Sequence, residues 1–125
     1  MASPATVALV ARRLRASRLK PLALGEHLER RDHRIWLAPA GHVLGAAQVV
    51  VEGPDGRRLV YTGDFSVRPR PTIEAATPIR ADILITECTF GQPQYVFPSD
   101  EEIRERIRGF VERALADGAA PVVLG

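Results

Sequence analysis

The sequence predicts an α/β protein: a mostly antiparallel sheet with helices beside it. Three observations lead there. The β-rich runs Ala47–Glu52 and Arg57–Thr62 flank Gly53-Pro54-Asp55-Gly56, and Asp-Gly between such runs is a strong hairpin signal. Ile83-Leu84-Ile85 is a short apolar run of the kind that fills a buried strand. Two stretches of helical period each open on a start signal, Ser3-Pro4 and Ser99 with Glu102.

Each element follows in order. Ser3 is a capping hydroxyl and Pro4 suits the first helical position. Val7, Val10, Ala11 and Leu14 then recur at helical spacing, which predicts a helix over Pro4–Ala16 with the first helix lying on one face of the sheet. Pro21–Leu24 reads as a short strand, and the charged stretch Gly25–Asp32 as a turn or loop. His33–Leu37, with Ile35-Trp36-Leu37 at its centre, reads as a strand. The two hairpin strands come next, and Gly63-Asp64 ends the second. Phe65–Arg80, punctuated by proline, reads as a long loop, and loops of that length are commonly functional. Asp82–Thr86 is the buried strand. After the loop Glu87–Pro98, Ser99 starts a helix with Ile103, Ile107, Phe110, Val111, Ala114 and Leu115 on one face, stopped at Gly118. Pro121–Leu124 reads as the start of another strand, and a chain ending inside an apolar element suggests a piece of something longer.

The 125 residues suit one ordinary domain, and 46% apolar with 26% charged is a globular balance. No apolar run approaches the roughly 20 residues of a membrane span, and the N-terminus does not read as a signal peptide. The lone cysteine, Cys88, excludes an internal disulfide and CxxC zinc clips, so the expected setting is the cytoplasm. Net charge is only +2, yet all the basic residues except Lys20 are arginine. Arginine suits bidentate phosphate contacts, but a GC-rich genome produces the same bias. Walker, G-x-G-x-x-G, G-x-S-x-G and H-E-x-x-H motifs are all absent, which leaves nucleotide binding and serine-hydrolase chemistry without support.

Three residues stand where chemistry is commonly carried. His42 lies between Gly41 and Gly45 just past a strand, either aimed into a cleft or hydrogen-bonded to backbone. Asp64 follows Tyr61-Thr62-Gly63, and is either a ligand or acid/base group on a strand end or a turn aspartate capping amides. Glu87 ends the apolar strand Ile83–Thr86, and a carboxylate there is costly unless it is paired or solvated. Cys88 reads as a small packing residue rather than a soft ligand, and His27 and His33 as solvated.

Ala40-Gly41-His42-Val43-Leu44-Gly45-Ala46-Ala47-Gln48, Tyr61-Thr62-Gly63-Asp64-Phe65 and Leu84-Ile85-Thr86-Glu87-Cys88-Thr89-Phe90-Gly91 occur in that order. Together they resemble the metallo-β-lactamase fold in its β-CASP nuclease branch. That branch includes RNA 3′-end processing endonucleases and the DNA exonucleases associated with bacterial ligases. The similarity runs from about residue 4 to residue 125. It implies a partial αββα sandwich. Residues 1–91 would be the central part of the metallo-β-lactamase-like domain, and residues 92–125 a linker and the first helix and strand of a β-CASP-like domain.

The resemblance also assigns roles. His42 would bind one zinc, Asp64 would bridge two, and Glu87 would support a later histidine near the leaving group. Asp64 and Glu87 are thus the implied catalytic positions, and His42 and Asp64 the implied metal ligands. Two metals about 3.5–4 Å apart can clamp a phosphodiester and activate water. The implied cofactor is Zn²⁺, and the implied partner is nucleic acid, RNA or DNA, with no membrane.

The family's H-x-H-x-D-H motif would precede the segment matching residues 4–16, and its later histidines would follow Gly125. The expectation is therefore a fragment of a zinc-dependent metallo-hydrolase, a nuclease, inactive as this chain alone. The alternative is a non-catalytic truncated module that binds a partner or nucleic acid. A hydrolase of small esters is disfavoured by Thr86-Glu87-Cys88-Thr89-Phe90-Gly91 leading into a capped helix. A partial sandwich also implies an exposed apolar sheet surface and self-association through it.

Overall fold

A computed structural model of the chain describes residues 1–14, 18–70 and 72–123. They form two compact units, Met1–Cys88 and Thr89–Gly125. The first holds helix α1 (Pro4–Arg13) and strands β1 (His27–Arg30), β2 (His33–Pro39), β3 (Ala47–Glu52), β4 (Arg58–Tyr61) and β5 (Ile83–Ile85). The second holds helix α2 (Asp100–Ala116).

The five strands make one sheet in chain order. β1 through β4 pair antiparallel, whereas β5 runs parallel to β4, so the sheet is mixed. A parallel pair needs a crossover, and the long segment between residues 62 and 82 supplies it. The β3–β4 hairpin forms as its sequence predicts. Gly56 takes φ +77°, its N–H donates to the Gly53 carbonyl, and Asp55 Oδ1 accepts from the Arg57 amide at 3.1 Å.

Register partners share a face of the sheet. Trp36, Val50, Val60 and Leu84 lie in one row, and Ile35, Val51, Leu59 and Ile83 in the next row, facing the other way. Val50 and Val60 are sealed from solvent. Burying such a side chain contributes about 1.5–3 kcal/mol. Phe65, Val67, Ala76 and Ile79 of the crossover meet Val60 around a pocket of about 210 Å³ on that face. Gln48, buried in β3, donates its amide to the Pro39 and Thr77 carbonyls at 2.8 and 2.9 Å and ties the crossover down.

The structure corrects several expectations. Gly25–Asp32 is not a plain loop, because His27–Arg30 is a strand paired with His33–Trp36. Its charges read as loop, but an edge strand tolerates them, and Arg31 at φ +56° closes the two-residue turn. Pro21–Leu24 is no strand. It makes only single bridges, Pro21 to Ala2 and Leu24 to Leu37. α1 ends at Arg13, with Leu14 extended at φ −120°, and Ala16 lies outside the described residues. The backbone of α1 makes no close approach to any strand, and its start meets the Gly45 loop. β5 is exposed along its whole length rather than buried, because it has one neighbouring strand. Pro121–Val123 forms no strand, and Leu124 lies outside the described residues.

In the second unit, Ser99 Oγ accepts from the Glu102 amide at 3.2 Å, and Gly118 at φ +70° ends the helix. The Glu102 carboxylate turns to Arg106 at 2.6 Å. Ahead of the helix, Phe90 meets Tyr95 and Phe97 edge to face.

Candidate active site

Chain direction brings the site residues together. β2 and β4 run the same way, and β5 runs with β4. The C-terminal ends of all three strands therefore lie at one end of the sheet. His42 follows β2, Asp64 follows β4, and Glu87 follows β5. Loops at strand ends place functional groups on a rigid support. His33, Asp32 and the Gly53–Gly56 turn occupy the opposite end, where His33 Nδ1 lies 2.7 Å from Asp32. His27 stacks on Trp36 with ring centroids 5.0 Å apart. Beside it, Glu29 pushes Arg34 above the ordinary guanidinium range, by hydrogen bond and then by charge.

The His42 loop is pinned on both sides. Gly41 takes φ +72°, and a Cβ there would lie 2.1 Å from the Ser66 carbonyl oxygen and 2.5 Å from the Ala76 nitrogen. Only glycine lets the loop sit on that hydrogen bond, in which the Ala76 amide donates to Ser66 at 2.8 Å. At the other side, Ser3 and Thr6 hydroxyls donate to the Gly45 carbonyl at 2.7 and 2.9 Å. The start of α1 thus clamps the loop. A third tie is the Arg70 guanidinium, which donates to the His42 carbonyl at 3.0 Å.

His42 Nε2 and Asp64 Oδ2 are 3.9 Å apart. Imidazole and carboxylate are ordinary zinc donors with bonds of about 2.0–2.2 Å, so a separation of 3.9 Å needs only a small closure to share an ion. The side chains are 44% and 69% exposed, which leaves them free to make that movement. The pair fits as two ligands of a metal. Among the described residues, no cluster of three or more His, Cys, Asp or Glu gathers to complete a site. Glu87 faces the same turn differently: its Oε1 accepts the Phe65 amide at 2.8 Å. Cys88 is exposed, not a packing residue. A largely apolar cavity of about 470 Å³ borders the loop along Leu24, Val43, Leu44 and Ile73, but neither His42 nor Asp64 lines it.

Sequence reasoning missed the residues that hold these loops. Ser3 was read only as a helix cap, and it caps the Thr6 amide at 3.3 Å while also binding Gly45. Gln48 carried a legible signal, being an amide inside an apolar strand. The bond of Arg70 to the His42 carbonyl has no local signature. No described helix is long and apolar enough to cross a membrane.

No family model matches the chain. Its curated relatives are informative. The whole chain aligns with a probable DNA ligase of Opitutus terrae at 37% identity, covering 12% of that protein. An uncharacterized protein in the lig 3′ region of Acidianus ambivalens is 33% identical, with 81% of this chain and 69% of that one aligned. Ribonuclease TTHA0252 of Thermus thermophilus is 33% identical over 84% of this chain and 24% of its own length. The chain belongs to the metallo-β-lactamase fold family, in its β-CASP nuclease branch. It spans between about a tenth and about two thirds of the length of these relatives.

Proposed function

We propose that this chain contributes to a metal-dependent nuclease that hydrolyses phosphodiesters in RNA or DNA. The observation that carries the reading is the convergence of His42 and Asp64, 3.9 Å apart, at one end of the sheet. Zinc, when bound, would polarise the scissile phosphate and supply an activated water. His42 would hold one ion through Nε2. Asp64 has two oxygens and, as a bridging ligand, would set the spacing between two ions. Glu87 stands one step away, as a supporting carboxylate. Arg68 and Arg70 lie in the loop after Asp64, where guanidinium groups suit backbone phosphates. Residues 92–125 would open a second, β-CASP-like domain. An exposed thiol at Cys88 suits the reducing cytoplasm. One relative is named a probable DNA ligase and another a ribonuclease, so both substrates belong in the test.

One observation favours a second reading, a module that binds nucleic acid without cutting it: the described residues hold no three-ligand cluster. With the chain joined to a segment carrying the H-x-H-x-D-H motif and the later histidines that the resemblance implies, zinc content and cleavage of labelled single-stranded DNA and RNA separate the two. The nuclease reading expects zinc-dependent cleavage that Asp64→Ala removes together with bound zinc. Full zinc and full activity in Asp64→Ala would make Asp64 a turn residue and end the assignment. Salt-sensitive binding with no cleavage and no zinc would establish the second reading.

A further inference from the structure

We propose that Glu87 is a positioning residue for Asp64, acting by capping the Gly63–Asp64–Phe65 turn. The inference rests on the reading of Asp64 as a functional carboxylate, and it gives Glu87 a task that needs no group from elsewhere. Glu87 Oε1 accepts the Phe65 N–H at 2.8 Å, the first amide past Asp64. A carboxylate acceptor makes this a charge-assisted bond, stronger than a neutral one.

The turn needs such a hold. Gly63 lies at φ +56°, and a Cβ added there would meet nothing within 4 Å, so no contact on that side fixes its conformation. The Asp64 side chain is largely exposed. The direction of its Cα–Cβ bond is therefore set by backbone ties. The strands supply the register for them. The Thr62 amide donates to the Ile85 carbonyl at 3.0 Å, extending the parallel ladder to the residue before the turn. The Thr62 and Thr86 hydroxyls lie 3.3 Å apart and donate to the Gly63 and Glu87 carbonyls at 2.7 and 3.1 Å. Asp64 and Glu87 are thereby placed by two strand ends locked side by side, and the carboxylate closes the last gap.

This task requires an acceptor at the reach of a glutamate side chain, and the charge strengthens the bond without being essential to it. Glutamine should serve in its place, and aspartate, one methylene shorter, should not. A role in holding a charged histidine or moving a proton would give the opposite order, because glutamine lacks the charge.

The test is amide exchange with water, followed by NMR on the chain free of metal and nucleic acid. Glu87→Ala and Glu87→Asp should raise the Phe65 exchange rate about tenfold or more. They should also move the Asp64 Cα shift toward its random-coil value. Glu87→Gln should keep Phe65 within about threefold of the parent and restore the Asp64 shift. Thr62→Val should loosen the same amide and Thr62→Ser should restore it. Val50 should exchange alike in all variants, which excludes global unfolding. Unchanged Phe65 exchange in Glu87→Ala, or glutamine behaving like alanine, overturns the proposal. Because no metal or substrate enters the measurement, a failed nuclease assay leaves this result standing, and the reverse.

Discussion

The two halves of the candidate site are built on different ground. His42 hangs from β2 and β3, inside the sheet, where Val50 is 0% exposed. Its loop is held at Gly41, at Gly45 and through Arg70. Glu87 hangs from β5, an edge strand in which Leu84, the register partner of Val60, is 59% exposed. Val49-Val50-Val51 and Ile83-Leu84-Ile85 are equally apolar, so composition does not separate them. What separates them is the number of neighbours: β3 lies between two strands, and β5 pairs with one among the described residues. An apolar triplet states a preference for burial, and the surrounding chain decides whether it is met. The difference leaves the His42 loop held by close backbone approach at Gly41 as well as by hydrogen bonds, and the Asp64 turn by hydrogen bonds alone.

The strongest way to break this contrast is at the glycines. Gly41→Ala should destabilise the chain by about 2–5 kcal/mol, combining left-handed strain with backbone overlap. Gly63→Ala, with φ +56° but nothing within 4 Å, should cost about 1–2 kcal/mol from strain alone. Urea titration measures both. Equal costs would mean that the Asp64 turn is packed as tightly as the His42 loop.

Next in size is the core itself. Val50→Ala should lose about 2–3 kcal/mol, since the sealed site cannot refill with water or side chain. The same denaturation curves read it. A loss below about 0.5 kcal/mol, the size usual for surface changes, would remove the rigid member of the comparison.

How far the sequence foretold this arrangement differs by element. The β3–β4 hairpin was legible almost to the residue, because Asp55-Gly56 fixes a turn by local chemistry. α2 was legible for the same kind of reason, with Ser99 at its start and Gly118 at its stop. β1 was not. His27, Glu29 and Arg30 are chosen for a solvated edge, and solvation looks like loop in a one-dimensional reading. The parallel direction of β5 was not legible either. It depends on where the crossover delivers the chain, and it is what puts Glu87 beside Asp64 instead of at the far end of the sheet. The strand-end positions of His42 and Asp64 could be read from Gly41 and Gly63 next to them. The clamp of Ser3 and Thr6 on Gly45 spans about 40 residues and leaves no local trace.

The smallest expected effect on stability is at β5, and it is also the most diagnostic. Leu84→Lys should change the unfolding free energy by no more than about 1 kcal/mol, because more than half of the side chain it replaces already faces water and the lysine stem can cover the rest. Its effect on association should be larger. A short apolar edge strand offers unpaired backbone groups and exposed side chains to another chain, and an edge lysine is a common protection against such pairing. Sedimentation at rising concentration should show the parent chain self-associating and Leu84→Lys remaining monomeric. Two results would change the picture. If Leu84→Lys costs as much as Val50→Ala, β5 is covered in solution and the edge is not free. If the parent stays monomeric at all concentrations, the exposed row of Ile83, Leu84 and Ile85 is tolerated as it stands, and the weakness of that half of the site lies in the turn alone.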